Sequence, residues 1–273
     1  MNKAYHETLP KNYFGNLYEK VTSPLIKGEN VCISVIPGLG VKTLFNFLHY
    51  NIAKSKIFDK TYVYDPEIEK INLVDFTKNI ASKNTKKKLI FVRFFEQIEF
   101  KNQVLEKLDS LRRKDPKNLV FLVLTDHGAV INFDDYQATS TIFFSDIIYF
   151  PPFDLNRTEA MVETLTSFYG WKIEKSLIKD IFKLSGGIPR LIKYLCKETY
   201  ESRVPITNLE KFILVPQMNF QIDLVSKILI REPKNKTCLF GLTDEEGRIK
   251  SQLVKYYLKN YKSDVQVTHL LDF

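Results

Sequence analysis

Apolar residues fall along this chain in two alternating rhythms. Short runs rich in branched and aromatic residues occupy positions 31–36 (VCISVI), 61–64, 89–95 (LIFVRFF), 119–124 (LVFLVL) and 147–150, and they read as strands. Between them apolar residues recur at helical spacing: Val41, Leu44, Phe45 and Leu48, then a stretch around 74–81, then Val104, Leu105, Leu108 and Leu111. The runs at 89–95 and 119–124 are nearly unbroken, as in strands covered on both faces. Polar or proline stops follow several of these strands: Asp65 and Pro66, Thr125 and Asp126, Pro151 and Pro152. Strands alternating with helices predict a parallel α/β sheet joined by right-handed crossovers. This core is expected to span residues 1–152.

Beyond that boundary the rhythm is helical throughout. Asn156 followed by Glu159 has the capping-box spacing and predicts a helix start. Leu177, Ile178, Ile181 and Phe182 mark a second helix, and Ile188, Leu191, Ile192 and Leu195 a third, separated by Ser185, Gly186 and Gly187. Residues 153–204 are therefore expected to form a helical unit. A smaller module is expected over 205–273, with two apolar-periodic segments, the turn-rich stretch LFGLTDEEGRIK at 239–250, a helix through Leu253, Val254, Tyr257 and Leu258, and a strand-like VQVTHLL at 265–271. Polar linkers are expected around 201–207 and 232–236.

Composition narrows the function classes. Hydrophobic residues at 44% and charged residues at 26% fit a folded cytoplasmic protein rather than a disordered one. The first fifteen residues carry Lys3, His6, Glu7 and Lys11 and no apolar run, so neither a secretory signal nor a transit peptide is expected, and no apolar stretch elsewhere approaches the roughly 20 residues a membrane helix needs. Cys32, Cys196 and Cys238 are far apart, and His6, His49, His127 and His269 lack ligand spacing, which argues against disulfides and a metal centre. The net charge of +8 suits an anionic partner, although the lysines are dispersed, and Lys86, Lys87 and Lys88 read as a solvated edge before a strand.

Candidate chemistry begins where the first strand meets the first core helix, at V-I-P-G-L-G-V-K-T (35–43). A glycine loop in this position can wrap a phosphate with backbone amides, helped by the positive end of the helix. The full motif, G-x-x-x-x-G-K-[ST], adds a lysine for the phosphates and a hydroxyl for magnesium. Two registers stay open. With Gly40 as the last glycine, Val41 stands at the lysine position and Lys42 at the hydroxyl position, so the charge is turned by about 100° around the helix. With Lys42 and Thr43 as the working pair, Val41 and Ile36 fall at the glycine positions. The first register preserves the loop length and is preferred, which makes Pro37, Gly38, Leu39, Gly40, Val41, Lys42 and Thr43 the candidate phosphate contacts.

At SGGIPRLIKYL (185–195) the chain resembles the lid of STAND and origin-recognition-type AAA+ ATPases, which use a Gly-Gly-x-Pro helix start packed over the nucleotide. FPPFDLNRTEAMVETL (150–165) is similar to the beginning of that lid, and the resemblance extends over roughly residues 12–200. It implies an α/β P-loop core, a helical lid and, from the looser likeness of residues 239–258, a winged-helix-like C-terminal module. It further implies Pro189 and Arg190 as nucleotide contacts from the lid, Arg190 as the second-sensor arginine, and Thr125 as a polar sensor of the γ-phosphate. In that architecture the 89–95 strand presents acids to magnesium. Here Arg93 stands at the aspartate's place, so the Mg2+ has no expected ligand there, and Glu96 is the one catalytic candidate. Both motifs are then degenerate versions of the Walker A and Walker B sequences.

Three functions are compatible with this reading. A nucleotide-dependent switch that binds ATP or ADP with weak or no hydrolysis is preferred. A pseudo-ATPase scaffold would bind DNA or protein through the C-terminal module, where Lys250, Lys255 and Lys259 could line phosphates while Asp244, Glu245 and Glu246 keep the hairpin out of a groove. An active ATPase would rely on Lys42. An oligomer is compatible with all three, and each needs the turn at 37–40 to open into a phosphate-sized hollow closed by the residues around Gly186 and Pro189.

Overall fold

The computed structural model describes residues 4–83, 86–138 and 141–262, which fall into two compact units. The first comprises residues up to Val35 together with Val41–Phe150; the second comprises Ile36–Gly40 and Pro151 onward.

In the first unit the described elements run α1 (Tyr5–Thr8), α2 (Leu17–Ile26), β1 (Val31–Val35), α3 (Val41–Ser55), β2 (Lys60–Tyr64), α4 (Leu73–Ala81), β3 (Lys88–Val92), α5 (Lys101–Arg112), β4 (Leu119–Thr125), α6 (Gly128–Ile131) and β5 (Asp146–Phe150). The strands form one five-stranded sheet, all parallel, in the order β2-β3-β4-β1-β5. Hydropathy explains that order. Every residue of β1, β3 and β4 is buried, and successive residues of a strand point to opposite faces, so both faces of these central strands are covered. The outer strands β2 and β5 each begin with an exposed charged residue and are only partly buried. Buried Asn30 fixes the register just before β1: its Nδ2 donates to Phe143 O at 3.0 Å and its Oδ1 accepts from Phe121 N at 3.1 Å.

Two sequence expectations need correction here. The apolar run 89–95 is not strand to its end, because β3 stops at Val92 and Phe94 adopts φ 51°, turning the chain into a single 3-10 turn over Phe95–Gln97. Phe95 stayed in the apolar pattern because it plugs the core, fully buried, from outside the sheet. Lys88 is not part of a solvated edge: it is buried in β3, its Nζ donating to Ala81 O at 3.2 Å.

The second unit carries α7 (Leu155–Tyr169), α8 (Ile178–Ser185), α9 (Pro189–Glu201), α10 (Leu209–Leu214), α11 (Pro216–Arg231), α12 (Lys234–Leu239) and α13 (Gln252–Tyr261). The cap of α7 is Asp154, whose carboxylate accepts from Arg157 N at 2.8 Å, and not Asn156. Asp154 also offers the charge that suits a helix start and holds Arg157 Nε at 3.1 Å. Gly186 and Gly187 both have positive φ, and both are crowded by backbone: a Cβ on Gly187 would fall 1.9 Å from Phe153 O, and one on Gly186 2.9 Å from Ser251 N. Ser251 caps α13 and donates from Oγ to Leu184 O at 2.7 Å, joining α13 to α8. The turn at 239–250 contains an antiparallel bridge between Thr243 and Ile249. Part of the expected linker at 232–236 is helical, since α12 begins at Lys234. The strand-like stretch 265–271 lies outside the described residues.

Candidate functional site

The loop Ile36–Gly40 is a turn built around Pro37 and Gly38. Pro fixes one φ, Gly38 supplies φ +93°, and Leu39 N approaches Ile36 O at 3.4 Å, the signature of a type II turn. Leu39 is fully buried and anchors the loop from below. The expected lid residues do meet it: Arg190 N donates to Gly38 O at 3.1 Å, and a Cβ on Gly40 would lie 4.0 Å from Pro189 Cβ. Arg190's side chain is exposed.

A residue that sequence reasoning missed sits on the same loop. Gln221, on α11, is fully buried and donates from Nε2 to Pro37 O at 2.9 Å. A Cβ on Gly38 would come within 2.0 Å of that Nε2, so only glycine permits the contact. The expected hollow is thus filled on the Gly38 side by the Gln221 side chain. Both contacts use loop carbonyls. Among the described residues, the amides of Gly38 and Gly40 donate to no group.

Val41, Lys42 and Thr43 form the first turn of α3, with Lys42 exposed and its neighbours half-buried. The ammonium of Lys42 makes no ion pair with any described residue.

Glu96 and Thr125 come together in the first unit, where the ends of β3 and β4 meet. The turn after Phe94 brings Glu96 back beside the strand ends, where it is half-buried. Burial pushes its carboxyl above the usual carboxylate range, and the Asp126 carboxylate pushes the same way, while backbone amides and the Thr125 hydroxyl beside it pull it down. Neither Glu96 Oε2 nor Thr125 Oγ1, both buried, completes a hydrogen bond among the described residues. Asp126 is held in place: its Oδ1 accepts from Gly128 N at 2.9 Å and Tyr136 Oη at 3.2 Å, and its carbonyl accepts from Ser34 Oγ at 2.8 Å. Burial, with Asp126 and Glu96 nearby, raises the Cys32 thiol far above its ordinary value, so this cysteine behaves as a small core residue. No group of three or more metal-ligating side chains exists among the described residues.

Arg93 is committed elsewhere. Its Nη1 lies 2.8 Å from Asp65 Oδ2, both side chains largely buried, and its guanidinium carbon is 4.9 Å from the Phe45 ring centroid and 4.8 Å from that of Phe94. Asp65, read in the sequence as a strand stop, is the partner that makes an arginine tolerable here.

No protein-family model matches this sequence, and no curated protein matches it. Solved structures do. The RuvB Holliday junction branch migration motor of Thermotoga maritima superposes with a TM-score of 0.51 at 12% identity, over 96% of this chain and 80% of that one. A single-substitution variant of the same protein gives 0.50 at 12% identity over the same shares. The Aeropyrum pernix Orc1 protein in complex with DNA gives 0.49 at 13% identity, over 97% of this chain and 80% of that one. At this identity the likeness to RuvB shows the fold alone: a five-stranded, all-parallel α/β core with helices following it. No described helix is long and apolar enough to cross a membrane.

Proposed function

Starting from an AAA+ P-loop fold, we propose that this chain is a nucleotide-dependent switch that binds ATP or ADP at the 37–40 loop and hydrolyses it weakly or not at all. One observation carries the binding half: the loop gives its carbonyls to Arg190 N and Gln221 and keeps the Gly38 and Gly40 amides unpartnered. Unpaired amides beside the positive end of a 15-residue helix suit an anion. Pro37 to Thr43, with Thr125, Pro189 and Arg190, are the proposed contacts.

The case against hydrolysis is one of missing charge. Val41 brings no cation to the lysine position, and Arg93, locked to Asp65, cannot hold Mg2+. Glu96 is the proposed catalytic acid if turnover occurs at all, and burial raises its carboxyl above the usual carboxylate range. In this reading residues 153–204 act as a lid and 205–273 as a winged-helix-like module that passes the nucleotide state to a DNA or protein partner. Calorimetric titration of the full chain with ATP and ADP, with and without Mg2+, tests it. Binding that does not need Mg2+ is the expected result.

One observation favours the scaffold alternative. Arg248 neutralises the acidic turn, with its Nε 2.6 Å from Asp244 Oδ2 and a further ion pair to Glu246. The turn therefore opposes a polyanion less than its sequence implied. Salt-dependent DNA binding that ignores ATP would favour this alternative over the switch.

A further inference from the structure

We propose that Gln221 is a positioning residue that couples the phosphate loop to helix α11, so that an anion taken up by the loop changes the packing of that helix. The inference deepens the nucleotide reading and rests on it. Gln221 sits near the start of α11 and is fully buried, with its amide set directly against Pro37 and Gly38. The two are closely apposed: a Cβ on Gly38 would meet Nε2 at 2.0 Å and Oε1 at 2.8 Å.

The contact is also incomplete. Nε2 is satisfied by Pro37 O, while Oε1 is buried with no partner. Reversing the amide does not repair this, because Oε1 would then face the Pro37 carbonyl oxygen. A buried acceptor without a donor is unfavourable. A rearrangement of the loop that brings an N–H or a held water to Oε1 is therefore favoured, and the loop has such groups in the amides of Gly38 and Gly40. Anion binding at those amides moves the loop against which the Gln221 amide is set. The response has a defined path onward. Met218, Ile222, Val225 and Leu229 bury the same helix, and two residues beyond Gln221, Asp223 is held by Lys227 at 2.7 Å, Lys262 at 3.4 Å and Tyr257 Oη at 3.3 Å. A shift of α11 is thereby passed to α13.

Hydrogen exchange on the full chain, with and without ATP and with inorganic tripolyphosphate as a second probe, reads this coupling. In the wild type, exchange is expected to slow at residues 37–43 and to change at 216–231. In Gln221→Met, which keeps the side-chain length but neither donates nor offers a carbonyl, the response at 37–43 persists and the one at 216–231 is lost. Nucleotide affinity is expected to stay within a few-fold, which a purely structural defect would not spare. A variant whose α11 still responds overturns the proposal. So does a wild type whose loop responds while α11 does not, and that arm decides the matter even if the variant fails to fold. Absence of any response at 37–43 to either probe removes the nucleotide reading itself, and the coupling with it.

Discussion

Gly38 and Gln221 contend for one small volume, and glycine is the only residue that lets both remain. Gly38→Ala must hold an L-residue at φ +93° and push aside a buried amide, so it is expected to cost about 2–4 kcal/mol in denaturant unfolding. Gly170→Ala is the control. It shares a positive φ, in the left-handed helical region, but meets nothing within 4 Å, and about 1 kcal/mol of backbone strain is all it should show. Glu96 gives a pH-dependent test. Its carboxyl is raised in the folded chain, so the folded state binds the proton more tightly than the unfolded one. Stability from this group is then complete below about pH 4, near the ordinary carboxyl value, and is lost as pH rises through the raised one. Glu96→Gln should melt above the wild type at about pH 7.5 and lose that advantage near about pH 4. Equal melting temperatures at both values would remove the buried acid from the picture. None of these residues announced its partner in the sequence, because Gln221 and Pro37 are 184 positions apart and a buried glutamine on an amphipathic helix has no local signature.

At the level of elements, local signals did most of what local signals can. The β-branched runs gave all five strands, and the two nearly unbroken ones mark the central strands β3 and β4, because burial on both faces leaves no room for alternation. The failures share a cause. Phe94 and Phe95 extended an apolar pattern past the real end of β3, and a side chain can enter the core from a turn as well as from a strand. Asn156 and Glu159 had the spacing of a cap, yet Asp154, two residues earlier, makes the bond. Asp154→Ala is accordingly expected to lower stability by about 1 kcal/mol, with Asn156→Ala near neutral, as measured by thermal unfolding. The reverse ranking would restore the original cap.

For the whole molecule, the legible part was the order of elements along the chain: glycine turn, the ends of β3 and β4, then the Gly-Gly-x-Pro helix start. What sequence could not give was how the side chains at those places are partnered. Arg93 is stable because Asp65 and two aromatic rings enclose it, and removing Asp65 leaves a nearly buried cation alone. Asp65→Ala should therefore cost about 3 kcal/mol in denaturant unfolding without creating an ATPase. The absent phosphate lysine admits a constructive test. Titrating ATP into the wild type beside Val41→Lys, with phosphate release followed in both, measures binding and turnover together. Weak binding by the wild type without turnover, tightened at least about tenfold by the restored lysine's contact to phosphate, is the expected result. No binding by either protein at millimolar ATP, or wild-type turnover that Lys42→Ala abolishes, would contradict it.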